Sequence, residues 1–112
     1  MKIAKLQEEG VLILELTGRL DTLSCSGLEK EIDSLDTAMI SKLIIDLKGV
    51  DYVSSAGLRA LLIGLKKFSG NDQKFFLCGL SDSIQEVFNI VGFSSVYVIH
   101  NDRAEALNAM RT

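Results

Sequence analysis

Two adjacent hydroxyls, Ser54 and Ser55, are the residues best suited to chemistry in this sequence, and the small residues Ala56 and Gly57 follow them. Leucines then recur at helical spacing from Leu58 onward, so the pattern places the hydroxyls where a loop enters a helix. Small neighbours leave both hydroxyls uncovered, and another protein's active site could reach them. The chemistry that such hydroxyls could do is acceptance of a phosphoryl group. Spacing alone favours the plainer interpretation, that Ser54 or Ser55 is a helix N-cap.

A phosphoryl group at this position would add roughly −1.5 to −2 charges and three acceptor oxygens. The start of a helix tolerates such an anion, because its first N–H groups lack intrahelical acceptors and the helix dipole is positive there. Asp51, and Asp21 if its loop lies alongside, would make the site still more negative. A partner that docks there with apolar or acidic groups would then be repelled.

Other reactive residues do not form a catalytic pattern. His100 is the only histidine, and we interpret it as a surface residue because no acid or nucleophile lies beside it in the sequence. Cys25 and Cys78 have no metal-ligand spacing, which favours buried free thiols in a reduced setting. Most acidic residues fall on predicted solvated helix faces. The sequence therefore predicts no catalytic residue, no metal site and no cofactor, and indicates that the protein is not an enzyme.

The bulk composition limits the class of protein further. A chain of 112 residues with 47% hydrophobic and 24% charged residues is typical of one folded domain, which we place at residues 1–112. The net charge of −3 gives no basic field for nucleic acid. The sequence has neither a membrane-length apolar run nor a signal peptide pattern. We expect a cytoplasmic monomer that binds neither nucleic acid nor membranes.

Hydrophobic periodicity predicts the elements that position the serines. The predicted strands are residues 2–8, 11–16, 42–47, 75–80 and 96–99, and the predicted helices are residues 23–35, 58–68, 84–91 and 102–110. The order β-β-α-β-α-β-α-β-α indicates a single α/β domain with a mostly parallel, mixed central sheet. In this interpretation Thr17-Gly18 ends the second strand, and residues 48–57 form the loop that carries the hydroxyls.

Helix termini and faces follow from the same pattern. Asp21 or Thr22 could cap the first helix, Ser81 or Asp82 could cap the third, and Asp102 opens the last. On the second helix we expect Leu61, Leu62 and Leu65 to be mainly core, with modest exposure of Leu58 and Leu61 near its start. Leu58 and Arg59 are then the expected partner contacts, with Ser55 at the centre.

Three segments resemble the STAS-domain family, and within it the stand-alone anti-sigma factor antagonists. They are residues 16–21 (LTGRLD), 44–50 (IIDLKGV) and 52–58 (YVSSAGL), and the resemblance covers essentially the whole chain. In the family motif the serine two positions before the glycine is phosphorylated, and here that serine is Ser55. Many members carry aspartate immediately before it, where this chain has Ser54. Ser54 is therefore the alternative phosphorylation site.

The resemblance implies partner switching. The unphosphorylated antagonist would bind an anti-sigma factor that is also a serine protein kinase, and would thereby release a sigma factor that directs transcription. Phosphorylation would end that binding, and a PP2C-type phosphatase would restore it. The expected partner-binding residues are Asp21, Ser54, Ser55, Ala56, Gly57, Leu58 and Arg59.

Alternatives remain open beside partner switching. The chain could be a constitutive STAS binding or scaffold module, or a regulator of another output such as secretion, with Ser55 as a plain helix cap. An enzyme is disfavoured because no reactive cluster is found. Direct binding of nucleotide or lipid is disfavoured because the sequence has neither a phosphate-binding loop nor a basic patch.

Overall fold

The computed structural model describes residues 1–111, and its elements follow the predicted order, with one short 3-10 turn added. The five strands are β1 (Lys2–Glu8), β2 (Val11–Leu20), β3 (Lys42–Val53), β4 (Lys74–Cys78) and β5 (Val98–His100). The four helices are α1 (Cys25–Asp33), α2 (Ser55–Lys67), α3 (Asp82–Ile90) and α4 (Arg103–Met110), and the 3-10 turn is Phe93–Ser95. The predicted single α/β domain is confirmed.

The strands lie in the sheet in the order in which they occur in the chain, β1-β2-β3-β4-β5. Strand β1 is antiparallel to β2, and the turn between them places Glu9 and Gly10 at φ of 53° and 78°. Positive φ at both residues is what a type I′ two-residue hairpin turn requires. The pairings of β2 with β3, β3 with β4 and β4 with β5 are parallel, so the sheet is mixed as predicted.

The connecting helices divide between the two faces of the sheet. Successive parallel strands laid side by side with right-handed crossovers bring their helices to one face, and α1, α2 and α3 share one hydrophobic core. Helix α4 packs on the opposite face in a second, smaller core formed by Val11, Ile13, Ile44, Cys78, Ala106, Leu107 and Met110. No helix within residues 1–111 is long and apolar enough to cross a bilayer.

Strands β2 and β3 are longer than predicted, and this changes the surroundings of the serines. Thr17-Gly18 does not end β2, because the strand passes through two register irregularities and continues to Leu20, which pairs with Val53. Gly18 has φ of 112°, which accommodates the irregularity without breaking the strand. Residues 48–53, predicted as loop, are therefore the second half of β3, and only Ser54 separates this strand from α2.

The last strand was also misplaced, at residues 96–99. In the structure Val96 follows the 3-10 turn, and Tyr97 is buried against Phe75, Phe88 and Phe93, with ring centroids 5.5 to 6.2 Å away. Because Tyr97 packs into this aromatic cluster, residues 96 and 97 form the connection that leads into the strand. Strand β5 therefore begins two residues later than predicted.

The helix caps are partly as predicted. Ser81 Oγ accepts from the Ile84 amide at 3.3 Å, and Asp102 Oδ1 accepts from the Glu105 amide at 2.8 Å. Neither Asp21 nor Thr22 is the N-cap of α1. Ser24 occupies that position and makes no side-chain cap bond.

Helix α2 is positioned at both ends. Leu61 is fully buried, whereas Leu62 and Leu65, expected in the core, are half-buried because they lie at the border of the apolar stripe. At the C-terminal end Lys67 Nζ donates to the Ile32 and Asp33 carbonyl oxygens, at 2.8 and 2.9 Å. These oxygens belong to the last turn of α1, so one ammonium ties the ends of the two helices together.

Candidate functional site

Ser54 is the N-cap of α2, and each of its hydrogen-bonding groups has a partner. Its Oγ accepts from the Gly57 amide at 3.1 Å, and its carbonyl oxygen accepts from the Leu58 amide at 2.9 Å. Its own amide donates to the Leu20 carbonyl oxygen at 2.9 Å, which fastens the start of the helix to the end of β2. The cap expected at Ser54 or Ser55 is therefore Ser54, as its extended backbone (φ −88°, ψ 174°) requires.

Ser55 is the first residue of α2 and is exposed. Within residues 1–111 its hydroxyl makes no hydrogen bond, so the reading of Ser55 as a plain helix cap is wrong. The reason is geometric. An N-cap side chain must fold back over the first turn, and Ser54 already fills that place. The structure thus separates the two hydroxyls into one that holds the helix and one that faces solvent.

Gly57 allows the helix start to lie against β2. A Cβ at this residue would be 2.5 Å from the Leu20 carbonyl oxygen and 2.9 Å from Leu20 Cγ. Because backbone occupies that space, a larger residue could fit only if strand and helix moved apart. The contact holds the end of β2, and with it the start of the loop that carries Asp21, against the first turn of α2.

Asp21 shapes that loop. Its Oδ1 accepts from the Leu23 amide, the Ser24 amide and the Ser24 hydroxyl, each at 3.1 Å. The Ser24 amide, with help from the Ser24 hydroxyl, the Leu23 amide and Arg19, holds the pKa of the Asp21 carboxyl below its usual range. Asp21 is therefore ionised at neutral pH, as a docking residue would be. Much of its hydrogen-bonding capacity is nevertheless used inside the loop.

Sequence reasoning missed Leu23. This loop residue was placed in the first helix, but in the structure it precedes α1 and is 91% exposed. It borders an open groove of about 530 Å³ whose lining is Met1, Ile3, Arg19, Asp21, Leu23, Ser24, Ser26 and Gly27. No sequence signal distinguishes such a leucine from a core residue. Only the Asp21 turn, which directs the chain outward here, explains its exposure.

Arg19 and Tyr52 form a second pair that the sequence did not reveal. The guanidinium carbon of Arg19 lies 4.2 Å from the centre of the Tyr52 ring, and the two residues are register partners on β2 and β3. Arg19 Nε is also 3.7 Å from the Asp21 carboxylate. Their pairing depends on the irregular register between the strands, which local spacing does not contain.

The remaining predicted docking residues lie on the first turns of α2. Ala56 and Leu58 are half-buried and Gly57 is buried, whereas Arg59 is exposed. Leu61, expected to be modestly exposed, is fully buried and cannot contact a partner directly. The predicted site residues are therefore brought together at one end of the sheet, but Ser55 and Arg59 present the most accessible side chains.

A larger cleft, of about 920 Å³, lies on the α4 face rather than beside Ser55. Asp46 is buried there, as an exception to the expectation that most acidic residues lie on solvated helix faces. Its Oδ2 accepts from Arg103 Nε at 3.1 Å, its Oδ1 accepts from the Lys48 amide at 3.0 Å, and Arg103 also binds the Glu15 carboxylate. The guanidinium is thus held by two carboxylates, and the cluster fastens α4 to the sheet.

The histidine and the two cysteines are all partly or fully buried. His100 is half-buried rather than on the surface, since its ring packs on Phe76 with centroids 5.1 Å apart and its Nδ1 lies 3.1 Å from Glu105 Oε1. Cys78 is buried, and that burial raises the pKa of its thiol to about 12. Cys25, expected to be buried, is half-buried at the start of α1. Within residues 1–111 no group of His, Cys, Asp and Glu side chains could hold a metal ion.

Comparison with known proteins agrees with this architecture. The STAS domain family model matches residues 2–106, and the chain belongs to that family. BtrV of Bordetella bronchiseptica, named as an anti-sigma factor antagonist, is 33% identical over 112 residues, covering 100% of this chain and 97% of BtrV.

Solved structures share the fold. An anti-sigma factor antagonist from Mycobacterium paratuberculosis superimposes with a TM-score of 0.90 at 22% identity, covering 99% of this chain and 94% of that one. The Bacillus cell fate determinant SpoIIAA in its phosphorylated form has a TM-score of 0.74 at 14% identity, covering 97% of this chain and 99% of that one.

Proposed function

We propose that this chain, as one STAS domain spanning residues 1–112, is an anti-sigma factor antagonist that acts by partner switching in the bacterial cytoplasm. The unphosphorylated monomer binds an anti-sigma factor that is also a serine protein kinase, and so releases a sigma factor. Phosphorylation of Ser55 ends the binding, and a PP2C-type phosphatase restores it. The names of BtrV and of the Mycobacterium paratuberculosis protein support the antagonist role.

The observation that carries this proposal is the contrast between the two serines. Ser54 Oγ is engaged by the Gly57 amide, whereas the Ser55 hydroxyl is exposed on the first turn of the same helix. A kinase can therefore reach Ser55 without unfolding the helix start, and Ser54 could be modified only with loss of the cap. This favours Ser55 over Ser54 as the acceptor. The phosphorylated form of SpoIIAA offers a precedent within the fold.

The same position explains how a phosphate would end binding. A partner that covers Ser55 must displace the water around this side chain. A neutral hydroxyl loses little hydration free energy when it is removed from water, whereas an unpaired phosphate loses much more. Each 1.4 kcal/mol of added cost lowers affinity about tenfold, and an unpaired buried phosphate costs several times that. The negative charge of Asp21 beside the site adds to the repulsion of acidic partner groups.

The kinase supplies the nucleotide and the catalysis in this proposal, and the chain is a substrate and a ligand rather than an enzyme. Its own candidate reactive groups are committed elsewhere. The Cys78 thiol stays protonated because its pKa is about 12, and Arg103 is paired with Asp46 and Glu15. No cofactor is needed for binding or for release.

The test is incubation with ATP and a candidate kinase encoded near the gene, followed by intact-mass measurement and peptide mapping. The expected product carries one phosphate, on Ser55. Ser54→Ala is the matched control, since it removes the neighbouring hydroxyl and leaves the acceptor, and it should still take up phosphate. Ser55→Ala should take up none. Phosphate on Ser54 in the unaltered protein would overturn the assignment.

The alternative is a constitutive binding or scaffold module, or a regulator of a non-sigma output such as secretion. A constitutive module would bind its partner equally well with and without phosphate on Ser55. A module with another output would switch normally, but its kinase would bind a target other than a sigma factor. Co-purification of the kinase's second ligand distinguishes that case.

A further inference from the structure

Arg59 lies one turn after Ser55 on the exposed side of α2. Residues four apart on a helix share a face, with Cβ atoms about 5–6 Å from each other. Both side chains are exposed, and within residues 1–111 the Arg59 guanidinium has no ion pair, hydrogen bond or ring contact. A long, free cation therefore stands within reach of the hydroxyl proposed to receive the phosphate.

The other cations beside the loop after β2 or on α2 are less available to a phosphate on Ser55. Arg19 is stacked on the Tyr52 ring and faces Asp21. Lys67, at the far end of the helix, donates to carbonyl oxygens of α1. Lys66 is exposed, but it lies about 16 Å further along the helix axis than Ser55.

We propose that a phosphate on Ser55 is held by the Arg59 guanidinium of the same chain, so that phosphorylation also withdraws this cation from the docking surface. The inference rests on the proposed modification of Ser55. A guanidinium can donate two parallel hydrogen bonds to phosphate oxygens, which makes Arg59 a better partner than a lysine. The free amides of the first helical turn complete the anion's environment.

The consequence is a reversal of charge on one helix face. Before modification the first turns of this face present the positive charge of Arg59. Afterwards the pair carries a net negative charge, because the phosphate brings roughly −1.5 to −2. An acidic group of a partner would then lose its cation and meet an anion at the same place.

The test is a ³¹P NMR titration of the full chain with phosphoserine incorporated at residue 55 during translation. Asp21, in the loop that follows β2, and Asp51, near the end of β3, would oppose its second ionisation, and Arg59 and the helix start would favour it. The second pKa of a phosphoserine is about 6. We expect that pKa to be higher by roughly 0.3 or more in Arg59→Gln than in the unaltered phosphoprotein.

Lys66→Gln is the matched control, since it removes the same charge from the same helix beyond the reach of Ser55. It should leave the phosphate pKa unchanged. Equal pKa values in the unaltered protein and in Arg59→Gln would overturn the inference, and so would an equal rise in both variants.

The titration uses no kinase and no partner, so its failure is distinct from failure of the proposed function. Failure of the function would appear as absence of phosphate after incubation with kinases, or as partner binding that ignores the phosphate. Either result leaves the measured effect of Arg59 on the phosphate intact.

Discussion

Gly57 and Leu20 are in backbone contact, and a Cβ on Gly57 would lie 2.5 Å from the Leu20 carbonyl oxygen. That same oxygen accepts from the Ser54 amide at 2.9 Å. The end of β2, the helix cap and the proposed modification site therefore form one packed unit. A change at Gly57 should act on all three.

Gly57→Ala should destabilise the protein by about 1–3 kcal/mol, because the added methyl group overlaps backbone that cannot yield locally. Gly27→Ala is the matched control, since a Cβ at Gly27 meets nothing within 4 Å and this residue is also helical. That control should be neutral or stabilising by up to about 1 kcal/mol, since alanine is the better helix former. Urea unfolding of the three proteins measures both changes. Equal stabilities would contradict the packed contact.

Ser54→Ala and Ser55→Ala should differ in stability although they remove the same atom. Loss of the cap at Ser54 should cost about 1 kcal/mol, within a range of roughly 0.5–2 kcal/mol. Removal of the free Ser55 hydroxyl should cost almost nothing. Thermal or urea unfolding compares them directly, and a larger loss for Ser55→Ala would reverse the assignment of the cap.

Substitutions at Ser55 should also keep the protein either permanently able or permanently unable to bind its partner. Ser55→Ala should hold the kinase partner even in the presence of ATP, because no phosphate can be added. Ser55→Asp should bind weakly or not at all, because it places a permanent negative charge at the centre of the docking surface. Isothermal titration with the partner measures both affinities. Normal binding by Ser55→Asp would contradict the electrostatic account of release.

Leu23→Ala should weaken partner binding by about fivefold or more without affecting the fold, since an apolar side chain that is 91% exposed beside the site can lose only intermolecular contacts. Met39→Ala is the matched control. Met39 is 82% exposed but precedes β3, at the opposite end of the sheet from Ser55. Unchanged affinity for Leu23→Ala, with unchanged stability in both variants, would place the interface elsewhere.

The two thiols should react at different rates in the native protein. Burial raises the pKa of Cys78 to about 12, so at pH 8 the reactive thiolate is almost absent and the sulfur is also inaccessible. Cys25 is half-buried and should be alkylated by iodoacetamide first. Peptide mapping after timed labelling measures the order, and labelling in denaturant should abolish the difference.

The raised thiol pKa also gives a direction for alkaline stability. Below the unfolded pKa of 9.0 the folded and unfolded proteins both hold the Cys78 proton. Between pH 9 and about 12 the unfolded state releases it while the folded state retains it, so the free energy of unfolding falls as pH rises. Cys78→Ala should show a shallower decline above pH 9 in urea unfolding, with Cys25→Ala as the control. Parallel declines would contradict the burial effect.

The element order could be predicted because its signals are local. Leucine spacing marks α2, and Ser81 and Asp102 stand where their helices begin. The extension of β2 and β3 could not be predicted, because a glycine usually marks the end of a strand in a sequence. Gly18 lies inside β2 only because it pairs with Val50 of β3. Register is a relation between distant segments, and local spacing does not record it.

The candidate site was predicted in part for the same reason. A motif located Ser55, whereas the exposure of Leu23 depends on how the Asp21 carboxylate folds its loop. The role of Asp46 depends on Arg103, which lies 57 residues further along the chain. The burial of this aspartate in a strand is explained only by the position of α4, because Arg103 of that helix neutralises its charge.

Lys67 holds the far end of α2 to α1, while Ser54 and Gly57 hold its near end to β2. A helix that is held at both ends has little freedom to move relative to the sheet. The unphosphorylated form and the proposed phosphorylated form should therefore be nearly superimposable, and a partner that distinguishes them must sense electrostatic potential rather than shape. The proposed phosphate would change the charge of the surface around Ser55 and leave the backbone of the sheet and of α2 where it is.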